Sequence, residues 1–304
     1  MAVNGATNGA TNGAANGDGG VQPLGQDFTR NVIESMGPGT PPRLREVMSS
    51  FIQHIHDFAR DVNLTTDEWM AAVQMINRAG QMSDAKRNEG QLMCDVIGLE
   101  SLVDDITYQV ATKNAKGATA SAILGPFWRE DTPTRANGST ITFDTPADGQ
   151  VAFMHGVVTA AETGKPIANA SVDVWQASTN GLYEQQDDKQ REHNLRGKFI
   201  TDAEGKYSFY CLRPTPYPVP QDGPAGKLLQ LMDRHVFRPA HIHLIVQAQG
   251  FKPITTQIFD KDSDYLDNDS VFAVKDGLTV EFKPRKGDAE AKLDLQYDVS
   301  LAGF

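Results

Sequence analysis

Hydrophobic positions change their period once along this chain, near residue 118. Before that point apolar residues recur at steps of three and four. In "TPPRLREVMSSFIQHIHDFARDV" they are Leu44, Val47, Met48, Phe51, Ile52, Ile55 and Phe58, one face of an amphipathic helix entered through two prolines. "NLTTDEWMAAVQMINRAGQ" places Thr65 three residues before Glu68, the spacing of a capping box, and Gly80 is expected to end that helix. A third stretch, "RNEGQLMCDVIGLESLVDDITYQVA", carries Leu92, Val96, Leu99, Leu102, Val103 and Ile106. These segments predict a helical hairpin or three-helix unit. Beyond residue 118, runs such as "VAFMHGVVTA", "ASVDVWQAS", "AHIHLIVQAQGF" and "PITTQIFD" are short and rich in β-branched and aromatic residues. They predict an antiparallel β-sandwich, with "DAEG" (202–205) as a hairpin turn. "LRPTPYPVPQDGP" (212–224) has too many prolines for a central strand and reads as a stiff ordered loop.

The expected organisation is a low-complexity tail (1–27), a helical N-terminal region (28–117) and a β-sandwich domain (118–304). The tail repeats Asn-Gly-Ala-Thr units, which bury too little surface to offset the entropy of ordering, so disorder is expected there. A length of 304 residues supports a full core. The net charge of −11 argues against nucleic acid, which is recognised by a basic footprint. No apolar run is long enough to span a membrane. Cys94 and Cys211 share no metal-binding or redox spacing and are read as buried free thiols of a cytoplasmic protein.

The chemistry concentrates in "RPAHIH" (238–243). Strand alternation puts His241 and His243 on one face and Ile242 on the other. Two such imidazoles can share a metal ion, or can be satisfied polar residues at a sheet edge. No carboxylate stands in a fixed motif with them to complete a 2-His-1-carboxylate set, and cysteine ligation of zinc lacks its spacing. The notable residues upstream are Tyr183, in "NGLYEQQD", and Tyr217, held between prolines in "PTPYPVP".

With "ILGPFWRED", "DVWQASTNGLYEQQD", "RPTPYPVPQDGPAGKLL", "DRHVFRPAHIHLIV", "TTQIFD" and "DNDSVFAVKDGL", the chain resembles the intradiol aromatic ring-cleavage dioxygenases over roughly residues 28–300. The resemblance is strongest to the catechol and hydroxyquinol 1,2-dioxygenases of fungi. It implies one Fe(III) per subunit, held by Tyr183, Tyr217, His241 and His243, and a small aromatic diol opened by O2. It implies that Tyr217 is released as the diol binds, and that Arg238 and Gln257 assist the reacting oxygens. It places Leu102, Ile123, Pro126, Phe127 and Val271 around the ring. This apolar set favours catechol. A third hydroxyl, as in hydroxyquinol, needs a polar partner such as Asp104 or Asp105, and bulky bicyclic or carboxylated diols fit less well, since nothing cationic besides Arg238 is placed to hold a carboxylate. The resemblance also implies a homodimer joined through the N-terminal helices, with a phospholipid at the interface. Two rivals remain: a non-enzymatic β-sandwich binding module, and an Fe(II) or zinc hydrolase built on the same histidine pair.

Overall fold

The computed structural model describes residues 24–113 and 115–304. The disorder expected of the repeat tail concerns residues that lie almost wholly outside this range. Six α-helices are present among the described residues: α1 (Gln26–Glu34), α2 (Pro42–Asp61), α3 (Thr66–Met82), α4 (Glu89–Val96), α5 (Leu99–Thr112) and α6 (Pro224–Leu231). None is long and apolar enough to cross a membrane. The backbone divides into two compact units at Ala72/Val73. In the first, Thr29 of α1 bonds the His56 ring of α2, and Gln26 bonds Asp57.

Three helix predictions need correction. Gly80 does not end its helix, which continues to Met82. The Gly80 backbone is not in the left-handed region, and a Cβ there would meet nothing within 4 Å, so no special role for glycine ends the helix at this position. The third apolar stretch is two helices, broken where Gly98 takes φ +75°, a left-handed conformation that favours glycine. α6 was not anticipated: it starts at Pro224, the last residue of the segment read as a proline-rich loop, and runs on beyond it. Pro224 occupies its first turn, where a missing N–H costs nothing.

The second unit carries fourteen short strands among the described residues. They are β1 (Thr134–Arg135), β2 (Ser139–Thr140), β3 (Val151–Ala160), β4 (Ser171–Trp175), β5 (Arg196–Ile200), β6 (Lys206–Leu212), β7 (Tyr217–Pro218), β8 (Phe237–Arg238), β9 (His241–Gln247), β10 (Ile254–Asp260), β11 (Thr279–Val280), β12 (Lys283–Pro284), β13 (Leu293–Gln296) and β14 (Val299–Leu301). One sheet runs β1-β5-β4-β9-β10-β11, the other β12-β13-β3-β6-β2 with β14 on β3, and β7 pairs β8 as a separate ribbon. The long inner pairs are antiparallel as expected, while β1·β5, β10·β11, β2·β6, β13·β3 and β14·β3 are parallel, so the sheets are mixed.

The "DAEG" turn also differs from its expected role. Asp202 and Gly205 close a tight turn, but β5 and β6 belong to different sheets. The turn is a corner between layers, because Phe199 and Phe209 stack across the core with centroids 4.6 Å apart. Met154, Val158, Val172, Val174, Ile242 and Leu244 fill the same core. Each such side chain contributes about 1.5–3 kcal/mol on burial. This packing makes β9 a rigid base for the residues on its other face.

Candidate metal centre

Ile242, Leu244 and Val246 of β9 point into the core between the sheets. Alternation therefore sends His241 and His243 to the opposite face, where both are buried. The register places His243 between Gln257 of β10 and Trp175 of β4, and His241 opposite Phe259. Trp175 stacks on the His243 ring at 4.7 Å, with only 10° between planes. Gly125, at φ +71°, also abuts that ring. A Cβ there would stand 3.2 Å from His243 Cε1, so only glycine fits without displacement.

Both tyrosines arrive from loops. Tyr183 precedes a single 3₁₀ turn (Glu184–Gln186), whose Gln186 side chain accepts the Tyr183 backbone N–H. Its ring stacks on Phe127 at 4.6 Å. Arg196 and Glu184, paired at 2.5 Å, anchor the turn. Tyr217 is not in irregular loop. It sits on β7, opposite Arg238 of β8. Gly181, at φ +79°, gives it room, since a Cβ there would come within 2.8 Å of Tyr217 Cβ.

The four polar atoms form a closed ring. Tyr183 Oη lies 3.2 Å from Tyr217 Oη, which lies 3.4 Å from His241 Nε2. His241 Nε2 is 3.2 Å from His243 Nε2, and that atom is 3.0 Å from Tyr183 Oη. His241 Nδ1 lies 2.7 Å from the Pro239 carbonyl. A carbonyl only accepts, so the proton is on Nδ1 and Nε2 presents a lone pair. Among the described residues, His243 Nδ1 is buried without a partner. Burial, and then the adjacent Tyr217, pushes the Tyr183 phenol well above its usual range. Burial raises Tyr217 too, against the pull of Arg238. Burial and Arg238 push His241 well below the usual imidazole value, and burial and His241 do the same to His243. Hydrogen bonding alone leaves this ring poorly satisfied. A multivalent cation fits it: two imidazole nitrogens and two hard oxygens converge, and a cation's charge reverses the bias against phenolate.

Arg238 and Gln257 stand next to the ring. Arg238 is buried and pairs with Asp269 through Nε and Nη2, both at 3.1 Å. It also donates to Gln257 Oε1 at 2.7 Å and to His241 Nε2 at 3.0 Å. Gln257 Nε2 donates to the Ile123 carbonyl at 2.6 Å. These bonds fix which way the amide points. The sequence reading gave no role to Asp269, Trp175, Gly125 or Pro239. Asp269 lies in the quoted stretch "DNDSVFAVKDGL", but at 31 residues from Arg238 no spacing marks it as the arginine's partner.

A cavity of about 470 Å³ opens beside Tyr217 and Phe127, within the size range of small-molecule sites. Val219, Pro220 and Leu182 line it, none of them anticipated. Of the five residues expected around the ring, Phe127 lines this cavity. Ile123 and Val271 are packed in the cluster with Leu92, Val96 and Phe259. Pro126 is half-buried, and Leu102 is exposed on α5. Asp104 is committed to Lys275 at 2.6 Å and to Ser121 at 2.9 Å. Contrary to the expectation that Arg238 is the one cation placed for a carboxylate, Lys86 and Arg87 line the cavity, Arg87 being paired with Glu89 and Asp222. Cys211 is buried as expected, whereas Cys94 is only half-buried. Elsewhere Asp131, Glu192 and His193 converge, but Arg129 already occupies both carboxylates, at 2.8 and 3.1 Å.

A two-sheet sandwich that brings two buried histidines to two buried tyrosines has the donor set of a metal site. The family model described as Dioxygenase matches residues 123–303, and that described as Catechol dioxygenase N terminus matches residues 41–115. The chain is 51% identical to the intradiol ring-cleavage dioxygenase prcA of Aspergillus niger, over 91% of this chain and 88% of that protein. It is 50% identical to the catechol 1,2-dioxygenase of Candida albicans, over 92% and 93%. The solved hydroxyquinol 1,2-dioxygenase of Pseudomonas putida DLL-E4 superposes with a TM-score of 0.80 at 33% identity, covering 92% of this chain and 98% of that one. The chain therefore belongs to the intradiol ring-cleavage dioxygenases, a family of non-haem iron oxidoreductases. This membership sets aside the binding-module and hydrolase alternatives.

Proposed function

We propose that Tyr183, Tyr217, His241 and His243 hold one Fe(III) per subunit, and that the chain cleaves catechol with O2 to cis,cis-muconate. The observation that carries this is the closed ring of two phenol oxygens and two imidazole nitrogens, with spacings of 3.0–3.4 Å. Ferric iron, when bound, supplies a Lewis acid and electron acceptor for the diolate. The protein's own groups do the rest. Tyr217, on a two-residue ribbon, is the ligand free to move, and its phenolate Oη can take one diol proton. Tyr183, wedged between Phe127 and the Arg196–Glu184 pair, stays. Arg238 faces negative charge as it develops near the ring, an interaction strengthened by exclusion of water. Gln257 keeps its carbonyl on Arg238 and one N–H on Ile123. Its second amide N–H remains to hold an oxygen of the reacting diol.

Catechol is favoured over hydroxyquinol because Asp104 and Asp105, the acids expected to meet a third hydroxyl, both stand against Lys275, at 2.6 and 3.8 Å. The greater identity to the Candida catechol enzyme points the same way. The helical segment 28–117 is the proposed dimerisation region, since Phe51, Ile55 and Phe58 of α2 are exposed. Two free cysteines accord with a cytoplasmic location.

The test is product analysis with labelled O2 and a panel of catechol, hydroxyquinol and 3,4-dihydroxybenzoate. The last is included because Lys86 and Arg87 line the cavity. Catechol should give doubly labelled muconate with the highest kcat/KM. Preference for either other diol would overturn the substrate assignment and leave the site intact. No ring opening with any of them would remove the function.

A further inference from the structure

Both walls of the site are held from one helix edge. On α5, Glu100, Ser101 and Asp104 lie along one side, while Leu102 and Ile106 are exposed. Glu100 Oε1 accepts the backbone N–H of Leu124 at 3.1 Å, and its Oε2 accepts Gln91 Nε2 at 3.0 Å. Ser101 Oγ donates to the Val271 carbonyl at 2.9 Å. Asp104 accepts Ser121 Oγ and Lys275 Nζ. One wall, residues 121–127, meets the site three times. Ile123 receives the Gln257 amide, Gly125 abuts His243, and Phe127 stacks on Tyr183. The other wall, residues 269–275, supplies Asp269 to Arg238. The Leu124 N–H is the point at which a side chain from outside the wall grips it between those contacts.

We propose that Glu100 is a positioning residue: by accepting the Leu124 N–H it fixes the 121–127 wall against Gln257, His243 and Tyr183, and so sets the fit of the aromatic diol. Ser101 performs the matching task for the 269–275 wall. The proposal rests on the functional reading above for its kinetic consequence, but not for its structural one. Asp95 stands beside Glu100, fully buried, with one oxygen unpartnered among the described residues. Burial, and then its hydrogen bond to Glu100, pushes its carboxyl up.

Glu100→Leu removes the acceptor, whereas Glu100→Gln keeps an oxygen at the same reach. The first readout is backbone hydrogen exchange on the metal-free protein, which needs no turnover. In Glu100→Leu the 121–127 segment should exchange about tenfold faster, the size expected from one lost hydrogen bond. Exchange in β9 should not change, and Glu100→Gln should behave as wild type. In the iron-loaded enzyme, KM for catechol should rise about tenfold with kcat within about threefold, since a fitting contact is lost rather than a reacting group. Ser101→Ala should loosen 269–275 and leave 121–127 alone. Unchanged exchange at 121–127 overturns the proposal. So does acceleration spread equally to β9, or a local acceleration with KM unmoved. If the local effect appears but no diol is cleaved by the wild type, the functional reading fails and the clasp stands.

Discussion

Tyr183→Phe is expected to lose both the bound metal and the visible colour that an iron–phenolate bond produces. Tyr183 contributes one of only two oxygens in the ring, at 3.0 Å from His243 Nε2 and 3.2 Å from Tyr217 Oη. Its ring is fully buried against Phe127, so no other side chain can rotate in to replace it. Changing a group that merely supports a ligand costs about 10–100-fold in metal affinity, and loss of a ligand itself should exceed about 100-fold. Tyr217→Phe provides the contrast. Tyr217 is the ligand proposed to leave, so that variant should retain iron, show a shifted band and lose the proton acceptor. Metal analysis and absorption spectra of the two variants check this. Equal iron retention by both would remove the division of labour between the tyrosines.

Arg238→Met is expected to damage stability and catalysis together. Arg238 is buried and its charge is balanced by Asp269, which also accepts the backbone N–H groups of Val271 and Ala273. Removing the cation leaves that carboxylate buried and uncompensated, at a cost of about 3–5 kcal/mol. Loss of a preorganised charge aimed at the reacting centre should also lower kcat about 100–1,000-fold. Arg238→Lys should restore part of the stability but little of the rate. One ammonium cannot span Asp269, Gln257 and His241 as the guanidinium fork does. Thermal unfolding of the metal-free variants, beside steady-state rates, separates the two effects. A Met variant with wild-type stability would show that Asp269 finds another partner.

Much of this centre is legible in the sequence because strand alternation is a strict rule. Once β9 was recognised, Ile242 had to face the core, and His241 and His243 had to share the other face. Tyr217 was harder. Prolines announced a stiff segment, but not the ribbon with β8 that sets Tyr217 opposite Arg238. Long-range partners left less trace. Asp269, Trp175 and Gly125 reach the histidines only through tertiary packing, and none sits at a fixed spacing from them. Leu102 illustrates the opposite error. The resemblance places it at the ring, yet it is Glu100, Ser101 and Asp104 that turn toward the walls. The same holds for "DAEG", whose turn chemistry was correct while its layer assignment was not, because turn residues do not encode which sheet the next strand joins.

The central claim is that two tyrosines and two histidines bind one ferric ion. The most direct test is metal analysis of the purified protein together with its absorption spectrum, before and after anaerobic addition of catechol. The account predicts one iron per chain and a broad visible phenolate-to-iron band that moves to longer wavelength when catechol binds. A colourless protein carrying stoichiometric iron or zinc would contradict it.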